Sequence, residues 1–514
     1  MELYSKGRVI ITDLRSASAR EAKEYLSGLG YEVVTPPEDL KLWNEENLRV
    51  FAKDHQDHLI GVIHPAPPMM HGGILEITRA MWDQAMEEGP LSALIVMKVF
   101  GEIFREKKSG SMIFLNSIHS EKPVGKGLLF STGCGAVEML SKEAMQDYGP
   151  HGVGIYFVER GILEGDPGRS DVSALYCSVD MRYPARKIPA PSYLNELLAF
   201  LLTPGAYALA GNPIHAEEGL LGFYGSHRDK AEGGNYRVRK NDPAPADNPR
   251  RDPKEIAAAL QPEEKEERVC VITGGGKGVG AGVARVLVQA GFKCLIGYHS
   301  NQAMAEELAE EIGGDILLYQ ADVSDPVQAK AMAEAAVSKW GRLDVLINNA
   351  AMQPNRFIDQ YGEELFRKLW NTNIGGYVNM VQACLPYIRK SPKGRIVNMS
   401  SIHGKRPALF DAGYAMTKGA IRMFTRELAL ELLGDEIPVN TIDLGACQIE
   451  FKTGGSMTSF KDLHPVIIEN PEMPSYKRIV LPEEVGKLIL FLLSRAGGSL
   501  VGDGIRLDRG LTLY

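Results

Sequence analysis

The chain repeats itself, and that repeat limits what it can fold into. "RVIITD" from Arg8 and "GYEVV" from Gly30 are answered by "RVCVITGG" from Arg268 and "GFKCLI" from Gly291, at an offset of 261 residues (Thr12 to Thr273). "GSMIFLNSIHS" matches "GRIVNMSSIHG" at an offset of 284 (Ser117 to Ser401), which also sets Phe130 under Tyr414, Cys134 under Lys418 and Gly161 under Gly445. "FLLTPGAYALAGNPIHAEEG" tracks "FLLSRAGGSLVGDGIRLDRG" at 291 (Gly219 to Gly510). Matches in one order, with offsets that drift slowly, are a tandem duplication with insertions. Whatever one half folds into, the other folds into as well.

Residues 226–266 separate the halves. They are rich in charge, Pro and Gly and lack the apolar positions that pack a core, so they read as a linker. The halves are therefore 1–225 and 267–514, a division consistent with 514 residues being too many for one core. Apolar residues make up 44% and charged residues 24%, as in soluble globular proteins. A net charge of -8 excludes nucleic acid as the main partner, because phosphate binding needs a basic face. No run approaches the ~18 uncharged apolar residues of a membrane span, and "MELYSKGRVIITD" carries no secretory pattern. The six cysteines are scattered without a CxxC pair. They read as buried thiols in a reducing compartment, and the expected location is the cytoplasm.

In the second half, apolar runs ("VCVIT", "KCLIGY", "DILLYQADV", "LDVLINNA", "GRIVNMS", "IPVNTID", "GIRLD") alternate with helical patterns, the signature of a doubly wound parallel sheet. The first strand runs into "TGGGKGVG". Gly274, Gly278 and Gly280 permit a tight turn and a close approach of backbone to a pyrophosphate, which a helix N-terminus then faces; Gly275, Gly276, Lys277 and Val279 complete the loop. Asp322 and Val323 close the third strand, where a carboxylate can accept a hydrogen bond from adenine. Asn348 to Ala351 (Asn349 and Ala350 above all) end the fourth strand with small residues that let a cofactor lie against the sheet. Ser401 precedes Tyr414 by thirteen residues, and Lys418 lies four beyond Tyr414, on the same helix face.

"TGGGKGVG", "NNAA", Asn373 in "NTNIGG", Ser401 and "YAMTK" resemble the short-chain dehydrogenase/reductase superfamily, near the 3-oxoacyl-acyl-carrier-protein reductase type, over roughly 245 residues of this chain. The resemblance implies two tandem Rossmann-type α/β domains and an oxidoreductase that interconverts a ketone and a secondary alcohol with a nicotinamide cofactor. The substrate would be a small carbonyl compound or alcohol, such as a 3-oxoacyl thioester. It implies Tyr414 as general acid/base and Ser401 as the group that positions the carbonyl. Lys418 would hold the ribose hydroxyls and lower the phenol's pKa, and Asn373 would anchor a proton-relaying water. Gly445 would lie against the cofactor. The second strand ends "LIGYHSNQ" without an acidic residue, while Lys277 and His299 offer positive charge to a 2′-phosphate, so NADP(H) is expected over NAD(H). The alternatives are an NAD-dependent alcohol or 3-hydroxyacyl dehydrogenase, and a dinucleotide-sensing scaffold.

Through the repeat, the glycine loop of the first half becomes "TDLRSASA", with Asp13, Arg15, Ala17 and Ala19 at the glycine positions. Their Cβ atoms block a pyrophosphate and Asp13 repels one. "INNA" becomes "IHPA", and the shorter Gly30–Ile63 interval predicts loss of the third strand and its helix. Phe130 and Cys134 replace Tyr414 and Lys418, and no asparagine takes the position of Asn373. This half is expected to bind no cofactor and to serve as a structural partner, with His64 and Cys134 as packing residues. The helix bearing Tyr-Lys and the one before it form a four-helix bundle between subunits in the resembling family, so the chain is expected to be a dimer fused into one polypeptide, which could itself pair further. Two departures stand out: Leu444 and Ile449 occupy positions where the family carries a proline and a threonine. The segment 452–478, with Gly454 and Gly455 as a hinge and Met457, Phe460, Met473 and Tyr476 as apolar contacts, is expected to cover the substrate; Lys452, Lys461 and Arg478 there could meet an anionic carrier.

Overall fold

The computed structural model describes residues 6–123, 126–161, 163, 190–211, 213–216, 267–407, 411–447, 480–494 and 497–508. The linker 226–266 and the expected substrate cover at 452–478 lie outside these residues, as does Ile449.

Each half builds one parallel sheet. The first holds β1 (Arg8–Ile11), β2 (Glu32–Val34), β3 (Leu59–Pro65), β4 (Gly110–Ser117), β5 (Val153–Arg160) and β6 (Pro213–Ala216), in the order β2-β1-β3-β4-β5-β6. The second holds β7 (Val269–Ile272), β8 (Lys293–Tyr298), β9 (Ile316–Gln320), β10 (Val345–Asn348), β11 (Arg395–Ser401), β12 (Val439–Leu444) and β13 (Gly504–Leu507), in the order β13-β12-β11-β10-β7-β8-β9. Strands buried on both faces need continuous apolar sequence, and runs such as Val269–Ile272 supply it. The orders coincide except at one edge, where β9 has no counterpart among the described residues.

Helices cover both sheets: α1 (Ala17–Gly28), α2 (Glu45–His55), α3 (Arg79–Met86), α4 (Ser92–Lys107), α5 (Leu128–Tyr148) and α6 (Asn195–Leu201) in the first half, then α7 (Gly278–Gln289), α8 (Gln302–Ile312), α9 (Pro326–Trp340), α10 (Glu363–Trp370), α11 (Gly376–Ile388), α12 (Ala412–Glu431) and α13 (Pro482–Leu492). None among the described residues is long and apolar enough to cross a membrane. A π-helical turn joins α3 to α4 at Glu87–Leu91, and another joins α10 to α11 at Asn371–Gly375, again 284 residues apart.

The halves meet along α5 and α12, and one apolar core runs through both. A Cβ on Gly135 would lie 2.8 Å from the Gly419 carbonyl oxygen, and one on Gly419 would lie 2.6 Å from that of Gly135. Polar contacts repeat the reciprocity. The Ile74 amide donates to the Glu431 carboxylate at 2.9 Å and the Ile358 amide to Asp147 at 3.0 Å. Lys98 donates to the Tyr361 carbonyl at 3.0 Å and Gln382 to the Ile77 carbonyl at 3.1 Å. Arg426 donates to the Glu121 carbonyl at 2.5 Å and Lys142 to the Lys405 carbonyl at 3.4 Å. In every pair the partners exchange roles at the offset of 284, which is the geometry of an isologous two-fold interface within one chain.

Candidate functional site

The glycine loop after β7 has the backbone its sequence requires. Gly274 and Gly278 take positive φ, +62° and +55°, which side chains disfavour. A Cβ on Gly280 would lie 2.4 Å from the Gly274 carbonyl oxygen. Asn349 braces the turn, its side-chain amide donating to the Thr273 and Gly274 carbonyls at 3.0 Å, while the Asn349 and Ala350 amides donate to Thr273 Oγ1 at 2.9 and 3.0 Å. Asn349 therefore shapes the loop. The cap position of α7 is Lys277, whose side chain makes no capping bond. This loop lies at the sheet's switch point, between β7 and β10, where α/β sheets bind ligands. Lys277 is exposed and forms no ion pair among the described residues. His299, just after β8, is exposed with Nε2 3.9 Å from Asp322 Oδ2. Asp322 accepts from the Ser324 amide and hydroxyl at 2.9 and 2.7 Å, while Val323 packs under Gly376. The Gly445 amide bonds the Leu507 carbonyl at 2.9 Å, beyond β12.

Asn373, Ser401, Tyr414 and Lys418 come together beside this loop. The π-turn aims Asn373 inward, fully buried: its Oδ1 accepts from the Met352 amide at 2.8 Å, and its Nδ2 donates to the Met352 carbonyl and to Thr417 Oγ1, both at 3.0 Å. Ser401 ends β11, and its side chain hydrogen-bonds the Tyr414 phenol. Lys418 is buried, with Nζ 2.8 Å from the Met399 carbonyl and 5.2 Å from the Tyr414 ring.

The electrostatics depart from the expected tuning. Burial pushes the Tyr414 phenol above its usual range, and the Asp411 carboxylate pushes it further, against the Ser401 hydrogen bond. Burial pulls Lys418 down to about 7, despite Asp411 and Asp443. In the protein alone the lysine is thus not the full, solvated ammonium that would favour a phenolate; desolvation outweighs it.

Asp411 joins this group without any signal in the sequence. It is the residue before α12, a position where aspartate ordinarily caps a helix, yet it makes no capping bond. Its Oδ2 instead accepts from Gln353 at 2.6 Å, its Oδ1 is buried without a hydrogen-bond partner, and burial raises it to about 8.

In the first half the counterpart elements carry different groups. Asp13 and Arg15 pair at 2.7 Å, Arg15 reaches Glu88 at 2.7 Å, and Ser16 Oγ caps α1 by accepting from the Ala19 amide at 3.2 Å. Gly89, in the π-turn, replaces Asn373. His64 and Cys134 are buried, and together with Phe130 they line a cavity of about 210 Å³.

The match to known proteins covers both halves. Residues 268–456 match the family described as short chain dehydrogenase, and residues 5–221 the one described as enoyl-(acyl carrier protein) reductase. An uncharacterized oxidoreductase of Methylorubrum extorquens is 31% identical over 249 residues, 48% of this chain and 98% of its own. The 3-oxoacyl-[acyl-carrier-protein] reductase FabG of Thermotoga maritima is 32% identical over 256 residues, 48% of this chain and 99% of its own. Among solved structures, L-sorbose reductase from Gluconobacter frateurii, complexed with NADPH and L-sorbose, is similar at 27% identity with a TM-score of 0.44, over 48% of this chain and 98% of its own.

Proposed function

The chain belongs to the short-chain dehydrogenase/reductase superfamily and is an oxidoreductase of that type, and we propose that its second half alone carries the reaction, an NADP(H)-dependent interconversion of a carbonyl compound and an alcohol. The observation that carries this reading is the gathering of Ser401, Tyr414, Lys418 and Asn373 through mutual contacts, together with a glycine loop whose helix start carries no side-chain cap. The loop suits a dinucleotide: glycines leave the backbone bare where phosphates approach, and the start of α7 presents unsatisfied amides. Lys277 and His299 stand where a 2′-phosphate would be met, with no acidic residue at the end of β8, which supports NADP(H) over NAD(H).

When bound, the nicotinamide supplies or accepts the hydride. The protein manages the proton. Tyr414, held protonated by burial, donates from its phenol to the alkoxide oxygen as the carbonyl is reduced, and takes the proton back in the reverse direction. Ser401 hydrogen-bonds the same oxygen and orients it. Lys418 is fixed by the Met399 carbonyl with Nζ 5.2 Å from the Tyr414 ring, where its protonated form favours the phenolate left after proton donation. Asn373 locks the π-turn against Thr417, the residue before Lys418, and so holds the helix register.

The first half, by this reading, is a non-catalytic partner that supplies the other side of a fused dimer, since Phe130, Cys134 and Gly89 cannot replace the phenol, amine and amide. The test is Tyr414→Phe in a carbonyl screen that follows NADPH absorbance. General acid–base catalysis contributes roughly a hundred- to ten-thousand-fold, so turnover should fall by that factor while NADPH affinity stays within about twofold. A variant that keeps most of the wild-type rate overturns the assignment.

A further inference from the structure

We propose that the cavity of the first half is a binding site for a small neutral molecule, one apolar ring or short chain bearing a single carbonyl or hydroxyl group. This proposal goes beyond catalysis in the second half and does not depend on it.

The cavity occupies the place of an active site. His64, Asn116, Phe130 and Cys134 line it at the offset of 284 from Asn348, Ser400, Tyr414 and Lys418, and Gly89 lines it opposite the position of Asn373. Replacing lysine by cysteine and asparagine by glycine removes bulk, and the space has not been refilled. At about 210 Å³ it exceeds the ~150 Å³ of an apolar cavity known to take up benzene. A single ring with a short substituent fits this size; a dinucleotide does not.

Charge narrows the class further. The Arg15 guanidinium at the rim is engaged by Asp13 and Glu88, both at 2.7 Å, so it is not free to recruit an anion. His64 is buried, and burial holds it down to about 4, so it is neutral at physiological pH. Burial also pushes the Cys134 thiol up, away from thiolate. A charged ligand would enter an apolar space without a counter-ion, at a large desolvation cost.

The His64 ring offers a polar handle inside the cavity. His64 Nδ1 lies 2.8 Å from Thr12 Oγ1, and the other ring nitrogen makes no hydrogen bond among the described residues. A neutral imidazole presents there a lone pair or an N–H, according to tautomer. A hydroxyl matches either and a carbonyl matches the N–H. Phe114, packed edge-on to His64 at 5.7 Å between centroids, and Phe130 give the rest of the ligand an aromatic wall.

Methyl NMR of the full-length protein labelled with [methyl-13C]methionine tests this, because Met69 and Met70 line the cavity. Their signals are assigned with Met69→Leu and Met70→Leu. Titration with benzyl alcohol or acetophenone should shift both signals saturably at one equivalent per chain, unchanged by saturating NADPH or by Tyr414→Phe. Benzoate, the charged control, should shift neither. Gly133→Leu should abolish the shift, since a Cβ there has its nearest neighbour, Pro90 Cδ, at 3.8 Å and the added side chain grows into the cavity. Cys134→Phe fills the same space from the next position and stands in if Gly133→Leu fails to fold. His64→Phe should weaken benzyl alcohol about tenfold, the loss of one hydrogen bond, and leave toluene unaffected. No shift in the wild type up to the solubility limit of the probes overturns the proposal, and so does a shift that survives both filling variants.

Discussion

Two helices that begin at equivalent places in the two halves show what separates them. In the first half α1 is closed at its N-terminus by Ser16, and in the second the same position is Lys277, which caps nothing. A helix start leaves four backbone amides without intrahelical partners. The first half satisfies part of that need from its own side chains and adds the Asp13–Arg15–Glu88 network in front. The second leaves it open. The difference continues into the sheets. Asp443 on β12 faces Lys405 at 3.6 Å, while its counterpart Glu159 on β5 has Glu121 at the position of Lys405 and His215 at that of Arg506. Yet the surface between the halves keeps three reciprocal pairs of polar contacts, beside one-sided ones such as Trp82 to Asn371 and Arg105 to Asp359. Change is concentrated where a ligand would bind, and constancy where the halves hold each other.

The largest effect should come from breaking that constancy. Gly419→Leu drives a side chain into the Gly135 backbone, and Gly135→Leu does the same in reverse. Overpacking a core costs about 1–3 kcal/mol, and more against backbone, so both variants should lose about 3 kcal/mol or more of stability, read as a lower thermal midpoint of the whole chain. If only one substitution destabilises, the interface is not the two-fold one described.

Next in size is loss of the cofactor. Gly280→Leu places a side chain 2.4 Å from the Gly274 carbonyl oxygen and forces the loop open. NADPH affinity should fall at least about a hundredfold, or roughly 2.7 kcal/mol. Calorimetry should find one equivalent of NADPH per wild-type chain and none in this variant. The counterpart change in the first half, Ala19→Gly, should leave the wild-type stoichiometry at one. Two equivalents per chain would break the comparison at its centre.

How much of this could be read from the sequence depends on the kind of interaction. The parallel sheets could, because strands buried on both faces leave uninterrupted apolar runs; so could the lost edge strand, because its absence shortens an interval. The pairing of Tyr414 with Lys418 was legible from their spacing on one helix, whereas Ser401 reaches them from the end of β11. Asp411 was not, since an aspartate before a helix looks like a cap and only tertiary structure shows Gln353 as its partner. Nor were the shifts at Tyr414 and Lys418: charge can be read from letters, but the depth of burial that overrides it cannot. The cavity beside His64 is a third case. Lost side-chain bulk shows in the repeat, and whether the neighbours collapse into it does not.

A test read as a slope, not as a single loss, probes the altered charge around β5. Burial first, then Glu138 and Glu121, raise Glu159 to about 8, against the Ser120 hydrogen bond and Lys142. A carboxyl raised in the folded state binds its proton more tightly there than in the unfolded chain. Its contribution to stability is therefore full below about pH 4.5 and is lost as pH rises toward 8, at no more than about 1.4 kcal/mol per unit. Glu159→Gln should flatten the fall in urea-unfolding stability across that window. His215→Asn serves as the common background, so that the contact between its ring and the Glu159 carboxylate at 2.6 Å is absent from both proteins compared. A slope that is unchanged by Glu159→Gln would place the pH dependence elsewhere.

The finest test returns to the two helix starts. Ser16→Ala removes the bond to the Ala19 amide, and loss of such a cap costs about 1 kcal/mol. It should lower stability by that amount and leave NADPH binding untouched, because in the proposed reading the dinucleotide is held by the second half alone. Lys277→Ala, at the equivalent position, removes no internal bond and should leave the unfolding midpoint where it was. It should weaken NADPH about tenfold, the worth of one charge-assisted contact to a phosphate, and leave NADH unaffected. Thermal unfolding and calorimetric titration on both variants separate the outcomes. If Lys277→Ala weakened NADPH and NADH equally, the lysine would be serving the pyrophosphate shared by both, and the preference for NADP(H) would have to rest on His299.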